Sequence, residues 1–135
     1  MYYKIIISPQ LADTNAARHI DHTAIIDWFD RARVYMYREM DPTLTFRPHG
    51  LAVLTTTVYY QAPATALADV EVRTWVTKLG RKSMEVCQDL WQDGKCRAKT
   101  KTVVCGFNVD TRTSEPIVDS FRTIAEKYFW DEYFE

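Results

Sequence analysis

Ile25, Phe29, Ala32, Met36 and Met40 recur at gaps of four, three, four and four, which draws one apolar stripe along residues 23–40. Ile26 widens the stripe, and Asp27, Asp30, Arg31, Arg38 and Glu39 fall on the other face. The spacing predicts an amphipathic helix that stops at Asp41-Pro42, because the residue before a proline is pushed out of the helical region. Elsewhere the period is two. Residues 2–8 are β-branched and aromatic and end at Ser8-Pro9. Residues 51–61, 69–78, 83–91 and 95–109 also read as strands. In the second of these, Val70, Val72, Thr74 and Val76 alternate with Glu71, Arg73, Trp75 and Thr77. Asp93-Gly94 is a tight-hairpin signal, and Gly80-Arg81-Lys82 makes the preceding turn. The run 95–109 is long enough to need a bend, which Gly106 would supply. A short helix over 117–129 follows Pro116.

Residues 10–22 form a loop between the first strand and the long helix. The order is strand, long helix, four antiparallel strands, short helix, with no linker or repeat. That order predicts a single α+β domain over residues 1–135, with the helix against one sheet face. Such a layout leaves a sheet edge uncovered. The expectation is a homodimer that extends the sheet across two chains, or a tetramer made from two such pairs. Lys95, Arg97, Lys99 and Lys101 share one face of their strand by period two and read as a solvated face.

Composition narrows the function classes. The 135 residues are 47% hydrophobic and 13% aromatic, enough to fill a core. A net charge of −1 gives no field for nucleic acid or an anionic membrane surface. Cys87, Cys96 and Cys105 make an odd count without a C-x-x-C pair, which favours reduced thiols and a cytoplasmic setting. The N-terminus lacks the apolar run of a signal peptide, and no segment has the roughly 18–20 apolar residues of a membrane span.

Candidate chemistry is concentrated ahead of the long helix. Residues 13–33 read D-T-N-A-A-R-H-I-D-H-T-A-I-I-D-W-F-D-R-A-R, with two aspartates, an asparagine and two histidines within ten positions. Such groups are costly to hold close together without a use. H-x-x-H with flanking aspartates is not a recognised zinc spacing, so no metal is expected. His49 stands alone in a Pro/Gly loop and reads as polar surface.

This stretch resembles the signature of hotdog-fold acyl-CoA thioesterases of the 4-hydroxybenzoyl-CoA thioesterase type, roughly D-T-D-x-x-G-H-V-N-N-x-x-Y-x-x-Y-F-E-x-A-R. Asp13, Thr14, His19, Ala32 and Arg33 keep its identities. Ile20, Asp27, Trp28, Phe29 and Asp30 are close substitutes. The resemblance implies a curved antiparallel sheet wrapped round a long central helix, and hydrolysis of an acyl thioester of coenzyme A or an acyl carrier protein. It implies no cofactor beyond the coenzyme A of the substrate. By the same resemblance, the backbone N–H at His22 would bind the thioester oxygen, and the catalytic carboxylate would stand at position 15. The basic turn at Arg81, Lys82 and Ser83 would meet the phosphates of coenzyme A at the subunit edge.

Two departures matter. Position 15 is asparagine, whose amide has no negative charge and cannot take a proton near neutral pH. Either Asn15 orients a water while Asp13, Asp21 or His22 takes its proton, or the chain binds a thioester without turning it over. His19 reads mainly as a group that fixes the loop. Arg18 replaces a glycine, and would narrow the acyl pocket or pair with Asp13 or Asp21. The stretch also nearly matches the D-x-N-P-x-H-x-D motif of (R)-specific hotdog enoyl-CoA hydratases. However, His19 and Asp21 each lie one residue too far along, and Ala16 replaces the proline.

Overall fold

A computed structural model describes residues 1–131. The chain runs β1 (Tyr3–Ile7), a single 3-10 turn (Leu11–Asp13), α1 (His22–Met40), β2 (His49–Tyr60), β3 (Val70–Leu79), β4 (Ser83–Gln92), β5 (Lys95–Asn108), β6 (Thr113–Ser114) and α2 (Asp119–Lys127). All strand pairs are antiparallel, in the order β1-β3-β4-β5-β2, with the two-residue β6 on the end of β5. Asp93 and Gly94 both have positive φ (53° and 71°), the geometry of the tight hairpin expected between β4 and β5. No described helix is long and apolar enough to cross a membrane.

α1 has 19 residues and lies on one sheet face, mainly over β1 and β3. The stripe Ile25, Phe29, Ala32, Met36 and Met40 is buried as the periodicity requires. Ile26 is 38% exposed, and Trp28 and Arg33 are buried in its place. Ile26 sits about 100° round the helix from Ile25, just past the buried arc, while Trp28 and Arg33 fall inside it.

The core has two apolar clusters. One gathers Ile25, Trp28 and Phe29 against Val70, Val72, Leu90 and Ala98. The other gathers Met36 and Met40 against Met84, Val86, Val104 and Phe121 of α2. A polar belt separates them. Gln88 is fully buried; its Oε1 accepts from Arg33 Nη1 at 3.1 Å, and its Nε2 donates to Phe29 O at 2.8 Å and Thr74 Oγ1 at 3.0 Å. Arg33 also pairs with Asp30 on the same helix.

Three further expectations are corrected. β5 pairs with β2 without a register shift at Gly106; the shift in that pairing lies between Val53 and Thr55, and the shift on β5 itself is at Arg97, the extra residue opposite Leu90-Trp91 of β4. Gly106 is required for another reason: a Cβ there would stand 2.3 Å from Glu115 O. Trp75 and Thr77 face away from α1 yet are buried. Residues 128–130 run beside β3, with Val76 N–H donating to Tyr128 O at 2.9 Å, and Trp130 packs on Trp75 with centroids 5.0 Å apart. His49 is not alone, since its Nδ1 lies 2.6 Å from Glu115 Oε1.

Candidate functional site

The loop before α1 folds back on itself. Thr14 bridges Ile20, Asn15 N–H donates to His19 O at 2.8 Å, and Arg18 N–H donates to Asn15 O at 2.9 Å. The Asn15 side chain completes the turn, with Oδ1 accepting from Ala17 N–H at 3.0 Å and His19 N–H at 3.2 Å. Arg18 holds φ at 61°. This is the position where the signature has glycine, and a side chain there carries roughly 1 kcal/mol of backbone strain. Arg18 makes no ion pair with Asp13 or Asp21 among the described residues, contrary to the pairing anticipated for it.

A second segment, residues 61–68, forms the opposite wall. Ile20 N–H donates to Ala64 O at 2.8 Å, and His19 bridges Thr65. Two side chains hold this segment. Arg97 Nη1 donates to Pro63 O at 2.5 Å. Gln92 accepts from Thr65 N–H at 2.9 Å and donates to Thr65 O and Ala68 O at 2.7 and 2.8 Å. Neither role has a local sequence signal, because both depend on which loop comes to lie against β4 and β5.

Between the walls is an open cleft of about 380 Å³. Asn15, His19 and His22 line one side, and Tyr60 with residues 61–64 the other. The His22 ring meets Tyr60 edge-on with centroids 6.4 Å apart. Burial, with the nearby Asp21 carboxylate, pushes the Tyr60 hydroxyl above the ordinary phenol range. Asp21 is the N-cap of α1: Oδ2 accepts from Thr23 N–H at 3.1 Å and from the Thr23 hydroxyl. The first helical amide, His22 N–H, has no partner among the described residues. A free amide at a helix start beside an open cleft is a ready donor to an oxygen that gains negative charge.

The match to known proteins decides the family: the model of the thioesterase-like superfamily matches residues 9–124. The chain belongs to the thioesterase-like superfamily. Its antiparallel sheet with packed helices is the hotdog layout of that family. A predicted thioesterase from Bacillus stearothermophilus superposes with a TM-score of 0.91 at 26% identity, covering 98% of this chain and 100% of the other. A Staphylococcus aureus protein solved in complex with CoA superposes at 0.87, with 14% identity and 100% and 88% of the two chains covered. A 1,4-dihydroxy-2-naphthoyl-CoA thioesterase from Synechocystis gives 0.81 at 14% identity, over 93% and 96%. No curated protein matches the chain.

In this thioesterase-like chain, three of the five anticipated site residues share the cleft: Asn15, His19 and His22. Asp21 stands beside it, with Oδ1 3.8 Å from His22 Nδ1. Asp13 does not line it. Its Oδ2 accepts from Gln10 N–H at 2.8 Å and caps the preceding turn. Arg81, Lys82 and Ser83 lie far off within the same chain. Ser83 pairs with Cys105 and Tyr60 with Ala98, so seven residues of β5 separate the two levels, roughly 23 Å.

A carboxylate stands at each end of α1: Asp21 caps its start, and Asp41 holds the loop that follows it. Hydrogen bonds from Thr23 hold Asp21 below its ordinary value of 3.8. Hydrogen bonds from Phe46 N–H and Thr43 do the same for Asp41. A folded pKa below the unfolded one adds stability that is complete above the unfolded value and is lost as pH falls through the folded value. Thermal melts are therefore expected to show stability falling below about pH 4, with a shallower fall in Asp21→Asn/Asp41→Asn. An identical slope in that variant would remove these caps as the cause.

Proposed function

We propose that this chain is an acyl-CoA thioesterase in which Asn15 and His22 flank the thioester. The observation that carries this reading is the unpaired His22 N–H at the start of α1, on one cleft with the Asn15 amide. In this reading, Asn15 Nδ2 donates to the oxygen of a bound water. The His22 imidazole takes the water proton as the new C–O bond forms, and the His22 N–H stabilises the oxyanion. The C–S bond then breaks, and the proton passes from His22 to the leaving thiolate. His22 is preferred as base because the Asp13 and Asp21 carboxylates already accept from Gln10 and Thr23.

The CoA complex of the Staphylococcus aureus protein and the CoA-thioester substrate named for the Synechocystis enzyme support CoA as the thiol carrier. Within a second copy, Arg81, Lys82 and Ser83 would serve the phosphates. β2 is an open edge with Val53, Leu54, Tyr59 and Tyr60 exposed. Antiparallel pairing of two such edges sets the Tyr60 end of one chain beside the far end of the other, where its basic turn lies. A hydratase would need Asp13 and His19 to share a water, and the cap at Gln10 disfavours that.

The second reading is a thioester-binding protein without turnover. It is favoured by Asn15 Oδ1 being taken up by two loop amides. Release of free CoA from a panel of acyl-CoAs, by the natural chain and by Asn15→Asp, separates the two. The thioesterase reading expects turnover by the natural chain and no faster turnover by Asn15→Asp. Turnover by the Asp form alone would instead mean a binding protein.

A further inference from the structure

On the other side of the His19–Thr65 bridge from the cleft lies a larger groove, of about 660 Å³. Its walls are Leu11, Ala17, Ala66 and Leu67, with Arg18 and His19 at one side. Leu67 and Leu11 are the two most exposed large hydrophobic side chains described, at 92% and 80%. Neither is needed by the core, and both border this one groove. His19 lines the groove and the cleft alike, so the two spaces adjoin at this residue.

We propose that this groove takes the aliphatic acyl chain of the substrate, so that the site selects linear medium-chain acyl thioesters. This rests on the thioesterase reading for the position of the thioester. A thioester carbonyl between Asn15 and His22 would pass its acyl chain over His19 and along Leu11, Ala17, Ala66 and Leu67. Thr14 and Thr65 also border the groove, but most of its lining surface is hydrocarbon, which suits methylenes better than the two amides of a pantetheine arm. Each methylene that leaves water fully favours binding by roughly fourfold. An open groove covers only part of each, yet a chain of several methylenes still gains at least about tenfold.

The test is calorimetric titration of the intact protein with two non-hydrolysable thioethers, S-decyl-CoA and S-ethyl-CoA. The expected result is that S-decyl-CoA binds at least about tenfold tighter, and that in Leu11→Asp/Leu67→Asp this advantage falls below about twofold. Both leucines face solvent, so the variant should keep its far-UV spectrum and melting temperature. Leu67→Ala, which keeps an apolar wall, should retain part of the advantage. The proposal is overturned if the natural chain shows no preference for the longer chain, or if the preference survives in the double variant. Equal weakening of both ligands would overturn it in favour of the CoA arm. A changed oligomeric state with the preference intact would overturn it in favour of a contact between copies. Binding as expected without hydrolysis of decanoyl-CoA would defeat the thioesterase reading and leave the groove assignment standing.

Discussion

His22→Ala is expected to lower kcat on a CoA thioester by at least a hundredfold while KM changes only a few-fold. The side chain removed is the one cleft group proposed to accept the water proton, and a positioned base contributes roughly 10²–10⁴. The backbone N–H at position 22 remains, as does the Asp21 cap that holds the helix start, so substrate binding and oxyanion stabilisation should survive. A loss in kcat with KM held is the signature of an interaction made in the transition state. A variant with undiminished kcat would exclude His22 as base and leave His19, the other imidazole on the cleft wall, as the candidate to test next.

Gln88→Leu is expected to destabilise the chain by about 3 kcal/mol, a fall in Tm of roughly 10 °C. Gln88 is the hub of the polar belt, bonded at once to Arg33, to the Phe29 carbonyl and to Thr74. Leucine fits the volume but leaves the buried Arg33 guanidinium with Asp30 and a 3.4 Å contact to Thr102. The belt is already incompletely satisfied, since Arg33 Nε and Thr100 Oγ1 have no partner. Adding Arg33→Met should therefore recover much of the loss, because an apolar pair avoids the buried unpaired charge. Thermal or urea melts of both variants check this. An unchanged Tm for Gln88→Leu would mean that the belt contributes nothing to stability.

The belt also bears on the site. Apolar contacts have no direction and allow α1 to slide along the sheet, whereas the bond from Gln88 to the Phe29 carbonyl fixes its position. Phe29 lies two turns downstream of His22, so that bond helps to set where the first helical amide stands.

Much of this was legible in the chain because it is governed by near neighbours. The 3.6 periodicity of residues 23–40 determined α1 and most of its buried face. Asp93-Gly94 determined the hairpin, because only certain residues tolerate positive φ in sequence. The order of residues 13–33 suggested a family, and the match over residues 9–124 agrees with it. What distant segments do to one another was decided by the tertiary structure. The 61–68 wall is fixed by Arg97 and Gln92, which only strand pairing brings near it. Arg33 and Gln88, 55 residues apart, meet only when α1 docks on β4. Asp13, close to Asn15 in sequence, turns to Gln10 and leaves the cleft to Asn15, His19 and His22. Local spacing fixes which residues can share a turn or a face; which of them share a cavity depends on how the chain folds back.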